Sequence, residues 1–215
     1  MRHSARSSPD EASTRIIRIS FFGRVAVASV DRLLLGMSGS PAVLSVLPVL
    51  AAARGSLVGS YSVVMTPSAC RLVSPTTVGS LLHAEVFVET FALTRGEPPH
   101  RWLASHCDAA LVAPATATTL SALAHGSTGT LLTLTLANVN APVGLVPALN
   151  EDMLARPAIQ RCLTLLESDG FVFVSEEPGA ATDLTGRAQA GVSKHGLCRL
   201  IVQLGRLASV QEDHD

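Results

Sequence analysis

The sequence predicts an α/β fold with a doubly wound parallel sheet, and three observations carry that prediction. Apolar strands recur along the chain without polar alternation, which indicates strands buried on both faces of a sheet. Each strand is followed by a loop of hydroxyl-bearing or turn-forming residues and then by a helical segment. The alternation of strands and helices is typical of parallel βαβ units. We therefore expect one three-layer αβα domain, since a single core commonly serves about 200 residues and the chain has 215.

The repeated unit is a short strand, a tight loop and a helix. The predicted strands are residues 32–35, 61–65, 109–113, 143–146 and 171–174. The helices with clear limits are residues 41–54, 157–169 and 195–207, the second of which ends before Gly170. The carboxyl ends of parallel strands share one edge of a sheet, and ligands bind there. We expect the loops after the first four strands to form one site.

The first thirty residues differ from the rest of the chain. They are rich in Ser and Arg and then weakly β-like, without turn chemistry that would join them to the first strand. We predict that residues 1–30 form a flexible N-terminal extension and that residues 31–215 form the folded domain. No apolar segment with a small-residue cleavage site follows the N-terminal arginines, which favours a cytoplasmic protein.

The amino-acid composition limits the kinds of partner that the protein is expected to bind. Only 15% of the residues are charged, against about 25% in an average domain, which indicates self-association. The net charge of -1 offers no attraction to nucleic acid or to an anionic membrane. The longest apolar run, residues 41–53, is interrupted by Ser45 and Pro48 and is shorter than the about 20 residues that span a bilayer. The four cysteines form no C-x-x-C pair, so we predict no metal site.

The first two loops have the features of a phosphate site. Gly36 and Gly39 allow a tight turn and a close approach of the backbone to a ligand. Ser40 is a natural N-cap, and Pro41 suits the first helical position. Thr66-Pro67-Ser68 repeats the arrangement after the second strand. Two helix starts with free N–H groups are expected to bind one phosphorylated ligand, although an ordinary βα turn has the same appearance.

The third loop favours a flat ring. Residues 115–119 are all small, which allows a ring system to lie against the backbone with hydroxyls at its edge. None of these loops contains Asp or Glu, and Mg²⁺-dependent nucleotide chemistry needs carboxylates to hold the metal. FMN is therefore the cofactor that we expect.

Two motifs resemble those of the homo-oligomeric flavin-containing cysteine decarboxylases. In that family a histidine opens a helix, an aspartate precedes a strand and a Pro-Ala-Ser-Ala-Asn-Thr loop follows. Here His100 and Asp108 stand in the same order before Pro-Ala-Thr-Ala-Thr-Thr at residues 114–119. The second family motif, Pro-x-Met-Asn-x-x-Met, is similar to Pro-Ala-Leu-Asn-Glu-Asp-Met at residues 147–153. The resemblance covers residues 32–174.

The resemblance implies a flavodoxin-like subunit in trimers or multiples of trimers such as a dodecamer, with FMN at the subunit contacts. His100 would be the catalytic histidine, and Asn150 and Met153 would hold the substrate cysteine. The implied flavin contacts are Gly36, Ser38, Gly39, Ser40, Thr66, Ser68, Ala115, Thr116 and Thr118.

Three departures from the family pattern bear on function. Thr118 replaces an asparagine, and a hydroxyl cannot supply an amide donor and an amide acceptor in fixed geometry. Leu149 replaces a methionine of similar volume. The stretch 179–187 has no cysteine before its Gly-Arg, where the decarboxylase of coenzyme A biosynthesis carries one. The chain thus more closely resembles the peptidyl-cysteine decarboxylases of lanthipeptide and related peptide biosynthesis.

The chemistry explains why such a protein needs a flavin. Decarboxylation of a cysteine leaves a carbanion without an electron sink, so the C–S unit is first oxidised to a thioaldehyde. Loss of carbon dioxide then gives an enethiol, the precursor of an aminovinyl-cysteine thioether. We predict oxidative decarboxylation of the C-terminal cysteine of a ribosomally made precursor peptide. His100 would handle the thiol proton, for which a side chain that titrates near neutrality is suited.

Two alternatives stay open. The first is phosphopantothenoylcysteine decarboxylase, in which Cys198 would replace the missing loop cysteine. The second is a catalytically silent flavin-binding subunit, suggested by Thr118 and the extended N-terminus. The peptide substrate is not encoded in any recognisable motif; we expect residues 94–99 and 175–193 to select it.

Overall fold

The computed structural model of the chain describes residues 29–90, 92–174, 181–182, 188–189 and 193–212. The strands are β1 (Val30–Met37), β2 (Val58–Met65), β3 (Glu85–Val88), β4 (Ala109–Thr116), β5 (Val143–Ala148), β6 (Val172–Phe173), β7 (Ala181–Thr182) and β8 (Ala188–Gln189). The helices are α1 (Val43–Ala53), α2 (Pro67–Cys70), α3 (Pro75–Leu82), α4 (Pro99–Ser105), α5 (Ala117–Ala124), α6 (Leu131–Leu136), α7 (Glu151–Leu154), α8 (Pro157–Ser168) and α9 (Lys194–Glu212).

Six parallel strands form the central sheet in the order β3-β2-β1-β4-β5-β6. The chain winds outward from β1 to β3 and then returns to place β4 on the other side of β1. The switch point therefore lies between β1 and β4, and in doubly wound sheets the crevice at that point binds ligands. Strands β7 and β8 form a separate antiparallel pair.

The sheet is buried on both faces, as its sequence predicts. In β1, Leu33 and Leu35 pack with α1, α3 and α9, whereas Leu34 packs on the opposite face with α4, α5, α6 and α8. All three leucines are almost completely buried. The three consecutive apolar side chains of the strand therefore reflect two cores rather than one.

The amino ends of β1 and β4 are joined by an ion pair. The Arg32 guanidinium contacts the Asp108 carboxylate, which also accepts the backbone N–H of Arg32 at 2.8 Å. In turn, the backbone N–H of Asp108 donates a hydrogen bond to the carbonyl of Arg32 at 2.9 Å. The aspartate of the first motif thus fixes the register at the edge of the sheet opposite the predicted site.

The structure confirms the predicted flavodoxin-like, doubly wound three-layer architecture and corrects its details. Strand β3 and helices α3 and α6 were not predicted. Strand β1 continues to Met37, so Gly36 lies inside the strand and does not open a turn. Helix α1 begins at Val43 with Ala42 at its N-cap, so the prediction that Ser40 and Pro41 begin this helix is wrong. An additional turn over residues 41–42 separates Ser40 from the helix.

Some predictions lie largely outside the described residues. The predicted extension, residues 1–30, is one of them, because the description begins at Ser29 and β1 begins at Val30. Most of the predicted specificity segment at 175–193 is another. Within the ranges that are described, no helix combines the length and the apolar character needed to cross a bilayer.

Candidate active site

Ser38 joins the loops on the two sides of the switch point. Its hydroxyl donates a hydrogen bond to the carbonyl of Pro114 at 2.8 Å and accepts the N–H of Thr116 at 2.8 Å. The side chain is only 1% exposed. The hydroxyl thus donates and accepts a hydrogen bond within the chain and links the β1 loop to the β4 loop. The predicted contact of Ser38 with the flavin remains a prediction.

Gly39 lets the β1 loop lie against the β2 loop. A Cβ at Gly39 would be 2.5 Å from Cβ of Ser68 and 3.0 Å from its carbonyl carbon, which no side chain tolerates. The N–H of Gly39 makes no hydrogen bond within the described part of the chain, so it is free to bind an anion. The two loops predicted to bind phosphate are therefore in direct contact.

The β2 loop presents its hydroxyls beside this contact. Thr66 caps α2, because its Oγ1 accepts the N–H of Ala69 at 3.3 Å. The Ser68 hydroxyl is exposed and accepts a hydrogen bond from the Arg71 guanidinium at 3.3 Å. A positive charge thus accompanies the free N–H of Gly39, which suits a phosphate.

Ser40 and Gly36 contribute less directly than the sequence suggests. The Ser40 hydroxyl is nearly buried and accepts the N–H of Ala42 at 3.3 Å, which shapes the turn before α1. A Cβ at Gly36 would be 2.5 Å from Cδ1 of Leu132, so this glycine makes room for α6. Its prediction as a turn glycine fails because the requirement comes from a packing neighbour far along the chain.

The β4 loop provides small residues and free N–H groups. Ala115 is buried within β4, whereas Thr118 is exposed in the first turn of α5. The hydroxyls of Thr116 and Thr119 are 3.2 Å apart, and neither caps α5. The first-turn N–H groups of this helix consequently lack a side-chain acceptor, as is typical of an anion or polar-ring site.

The pairing of β4 with β5 places Asn150 beside the β4 loop. Thr116 is in register with Ala148, two residues before Asn150. Asn150 caps α7 by accepting the N–H of Met153 at 2.8 Å, and its amide nitrogen makes no hydrogen bond to a described residue. Met153 is 40% exposed. The β5 strand thus brings Asn150 to the edge that carries the predicted flavin loop, and Met153 follows within α7.

His100, the predicted catalytic residue, comes from a different element, the helix α4 that precedes β4. It is half-buried at the second position of α4, which begins at Pro99 and runs from the β3 side of the site toward the amino end of β4. No hydrogen bond among the described residues joins His100 to Asn150 or to Thr118. Topology places all of them on the same edge of the sheet, where they come from separate loops and helices.

Carboxylates lie on the loops and helices at this edge of the sheet. The Glu89 carboxylate, which sequence reasoning missed, accepts the N–H of Leu131 at 3.0 and 3.1 Å and thereby fixes the start of α6 beside α4. Glu151 and Asp152 lie in the first turn of α7. The described residues contain no group of three or more His, Cys, Asp or Glu side chains that would hold a metal ion.

The cysteines lie elsewhere. Cys198 lines a cavity with Leu57 at the amino edge of the sheet, opposite the carboxyl-edge loops. Burial raises the pKa of the Cys107 thiol to about 11 at the far end of α4. Neither thiol is placed to react at the site of its own chain.

These residues are compatible with FMN. The phosphate would meet the Gly39 N–H, the Ser68 hydroxyl and the α5 first turn, and the ring would lie against the small residues of the β4 loop. The space beside Gly39 supports this fit, because a side chain at that position would fill it.

The fold is that of a doubly wound α/β protein, and the loops described above meet at its switch point. The protein-family model Flavoprotein matches residues 28–198. The chain therefore belongs to the flavoprotein family, as its motifs indicate.

Three relatives refine this assignment. SpaF, an FMN-dependent cysteine decarboxylase, is 28% identical with a TM-score of 0.70 over 83% of this chain and 99% of its own. TvaF, an FMN-dependent cysteine decarboxylase from thioviridamide biosynthesis, is 34% identical with a TM-score of 0.62 over 68% of this chain and 90% of its own. A coenzyme A biosynthesis bifunctional protein of Bacillus subtilis is 40% identical over 126 residues, which are 56% of this chain and 30% of that protein. The chain spans about a third of the length of the curated relatives that it matches.

Proposed function

We propose that the chain is an FMN-dependent oxidative decarboxylase that acts on the C-terminal cysteine of a ribosomally made precursor peptide. The observation that carries the proposal is the register of β5 with β4, which brings Asn150 to the edge that carries the β4 loop. Similarity to two FMN-dependent cysteine decarboxylases supports the same reaction class. When bound, FMN would supply a two-electron acceptor.

Each predicted site residue has a part that its geometry allows. The free amide nitrogen of Asn150 would donate to the C-terminal carboxylate of the peptide, and the exposed Met153 would contact the cysteine side chain. His100 would accept the thiol proton, for which positioned imidazoles are effective. Thr116 and Thr118 would line the flavin ring.

The reaction removes two hydrogens and carbon dioxide from the substrate. Oxidation takes a hydride from the cysteine β-carbon and a proton from its thiol, which leaves a C=S bond. The bond from the α-carbon to the carboxylate then breaks, and its electron pair moves toward sulfur to give an enethiolate.

Assembly is part of the proposal. The low fraction of charged residues, 15%, supports self-association, and a site completed at a subunit contact would fit it. We expect a homo-oligomer, a trimer or a multiple such as a dodecamer, in the cytoplasm. The precursor peptide is the expected partner, and neither nucleic acid nor a membrane is.

The second candidate is phosphopantothenoylcysteine decarboxylase, and the identity to the Bacillus subtilis protein favours it. In that enzyme class a loop cysteine belongs near the flavin. Residues 179–187 contain no cysteine, and Cys198 lies at the opposite edge of the sheet. These two observations favour the peptide substrate. A flavin-binding subunit without turnover, suggested by Thr118, is the third candidate.

Mass spectrometry of two substrates in air separates the candidates. The purified protein is incubated with a library of short peptides that end in cysteine and, separately, with phosphopantothenoylcysteine. We expect the peptides to lose carbon dioxide plus two hydrogens and their C-terminal amides to remain unchanged. Loss of carbon dioxide alone from the small thiol would assign the protein to coenzyme A synthesis.

The matched control is His100→Asn. It keeps a polar side chain of similar size and should retain flavin while turnover falls at least about 100-fold, the usual contribution of a general acid or base. An unchanged rate would remove His100 from the mechanism, and bound flavin without turnover in either protein would favour the silent subunit.

A further inference from the structure

The turn before α4 contains an arginine in an unfavourable backbone conformation. Thr94 and Glu97 exchange both backbone hydrogen bonds, at 2.8 and 3.0 Å, around Arg95 and Gly96. Arg95 has a φ of 50° and Gly96 a φ of 88°. Two-residue turns with positive φ favour Asn, Asp or Gly at the first position, and any other side chain is strained there. The Arg95 side chain is therefore expected to have a contact that offsets this cost.

That contact is made with Trp102, the only tryptophan in the sequence. The guanidinium carbon of Arg95 lies 4.9 Å from the centroid of the indole ring. Trp102 is 8% exposed, stacks on His106 at 4.7 Å and packs against Phe87 of β3 at 6.1 Å. A cation over the face of a tryptophan is attracted by the quadrupole of the ring, and this attraction offsets the cost of the backbone conformation.

The turn is stiffly connected to His100. Only Pro98 and Pro99 separate Glu97 from His100, and both have a ring that fixes φ. Trp102 lies on α4 just beyond His100. The cation–π contact therefore joins the two ends of the segment from Arg95 to Trp102. His100 lies within this segment, directly after the two prolines.

We propose that Arg95 is a positioning residue that holds His100 in its productive place through Trp102 and the Pro98-Pro99 link. The inference rests on the proposed function, since it assumes that His100 is catalytic. Misplacement of a reacting group by about 1 Å can cost up to about 100-fold in rate, so a small shift of this arm is sufficient. Arg95 does not touch the reacting atoms in this account.

Two substitutions separate the charge from the backbone. Arg95→Asn suits the turn but removes the cation, whereas Arg95→Lys keeps the cation at the same backbone cost. We expect Arg95→Asn to lower kcat about tenfold, with KM changed less than about twofold, flavin content unchanged and the melting temperature equal or higher. Arg95→Lys should recover most of kcat. Arg161→Asn, which removes an exposed arginine from α8, controls for net charge and should keep the wild-type kcat.

The fluorescence of Trp102 gives a readout that does not require turnover. In Arg95→Asn the emission maximum should shift to longer wavelength and acrylamide should quench the indole more strongly, because the ring loses its cover. Identical emission and quenching in wild type and Arg95→Asn would overturn the contact.

The kinetic outcomes distinguish the two proposals. A wild-type kcat in Arg95→Asn, a raised KM without a change in kcat, or Arg95→Lys no better than Arg95→Asn would each refute positioning. Wild-type protein that converts no peptide would instead overturn the proposed function and the positioning of His100 with it, and fluorescence would then decide the Arg95–Trp102 contact alone.

Discussion

Two regions of the carboxyl edge are held in different ways. The loop cluster, residues 38–40, 66–68 and 114–119, is joined by the buried Ser38 hydroxyl and by the contact of Gly39 with Ser68. The His100 arm, residues 94–100, rests on a cation–π contact and two prolines. The cluster is thus fixed by buried contacts on several strands, whereas Pro99 is the one buried residue of the arm and the Arg95–Trp102 contact is made by an exposed arginine.

This difference predicts different mutant phenotypes. Buried polar groups that lose a partner are costly, because their desolvation is no longer compensated. Segments with few buried contacts open locally at low free energy without unfolding the whole domain. Substitutions in the loop cluster should therefore change stability and flavin retention, and substitutions in the arm should change turnover.

The largest effect is expected from Gly39→Ala. The added Cβ would collide with Cβ and backbone atoms of Ser68, which cannot rotate away. We expect flavin content at purification to fall at least about tenfold and the free energy of unfolding to fall by about 2–3 kcal/mol, as for an overpacked core. Absorbance and urea titration measure both quantities.

Gly129→Ala is the matched control. A Cβ there has only the Ser127 hydroxyl within reach, at 3.9 Å, so stability and flavin content should remain those of the wild type. Equal behaviour of the two variants would contradict the close approach of the β1 and β2 loops.

Ser38→Ala should have the next largest effect. It leaves the Pro114 carbonyl and the Thr116 N–H without their side-chain partner in a buried place. We expect a loss of about 2 kcal/mol in the free energy of unfolding and weaker flavin retention. Ser45→Ala removes an exposed hydroxyl from α1 and should cost less than about 0.5 kcal/mol. A cost for Ser38→Ala as small as this would show that the two loops do not depend on the hydroxyl.

Thr118→Asn tests the departure from the family motif. The exposed side chain at the start of α5 would regain an amide donor and acceptor, while the fold should be unaffected. We expect FMN to bind about fivefold more tightly, the equivalent of one hydrogen bond of about 1 kcal/mol. Titration of the apoprotein with FMN measures the change, and weaker binding would indicate that the hydroxyl is the better contact in this chain.

The smallest effect concerns Cys107, at the end of α4 away from His100. Burial raises the pKa of its thiol to about 11, so the folded state keeps a proton that the unfolded chain releases near pH 9. This contribution to stability is fully present below pH 9 and is lost as the pH rises to 11, and the total loss amounts to about 2–3 kcal/mol. Cys107→Ala should flatten the fall of stability in that range.

Two checks accompany this titration. Tyr61, whose pKa is also raised by burial, is present in both proteins and cancels in the comparison. Turnover of Cys107→Ala near neutral pH should equal that of the wild type, and a large loss would mean that the two ends of α4 are coupled.

Much of the fold was accessible from the sequence. Leu33, Leu34 and Leu35 are consecutive apolar residues, a pattern that only a strand with two buried faces accommodates. Gly170 ends α8 at a φ of 88°, as its place after the helical pattern predicts. Strand β3 was missed because Glu85–Val88 is short and lies at the edge of the sheet.

The site was accessible only in part. Thr66 and Asn150 cap their helices, and such caps depend on residues three positions away. The partners of Ser38 lie 76 and 78 residues further along the chain, and no local pattern encodes that distance. For Arg95, the only local indication of a turn is the Gly96 that follows it. Its contact with Trp102 depends on how α4 is oriented relative to that turn, which the sequence pattern does not reveal.

The most direct test of the central claim is the visible spectrum of the flavin-loaded protein under anaerobic conditions. We expect a cysteine-terminated peptide to bleach the oxidised flavin bands, with one peptide converted for each flavin, and air to restore them. His100→Asn should keep the bands and not bleach. A peptide that loses carbon dioxide while the spectrum stays oxidised, and that retains both hydrogens, would contradict an oxidative mechanism.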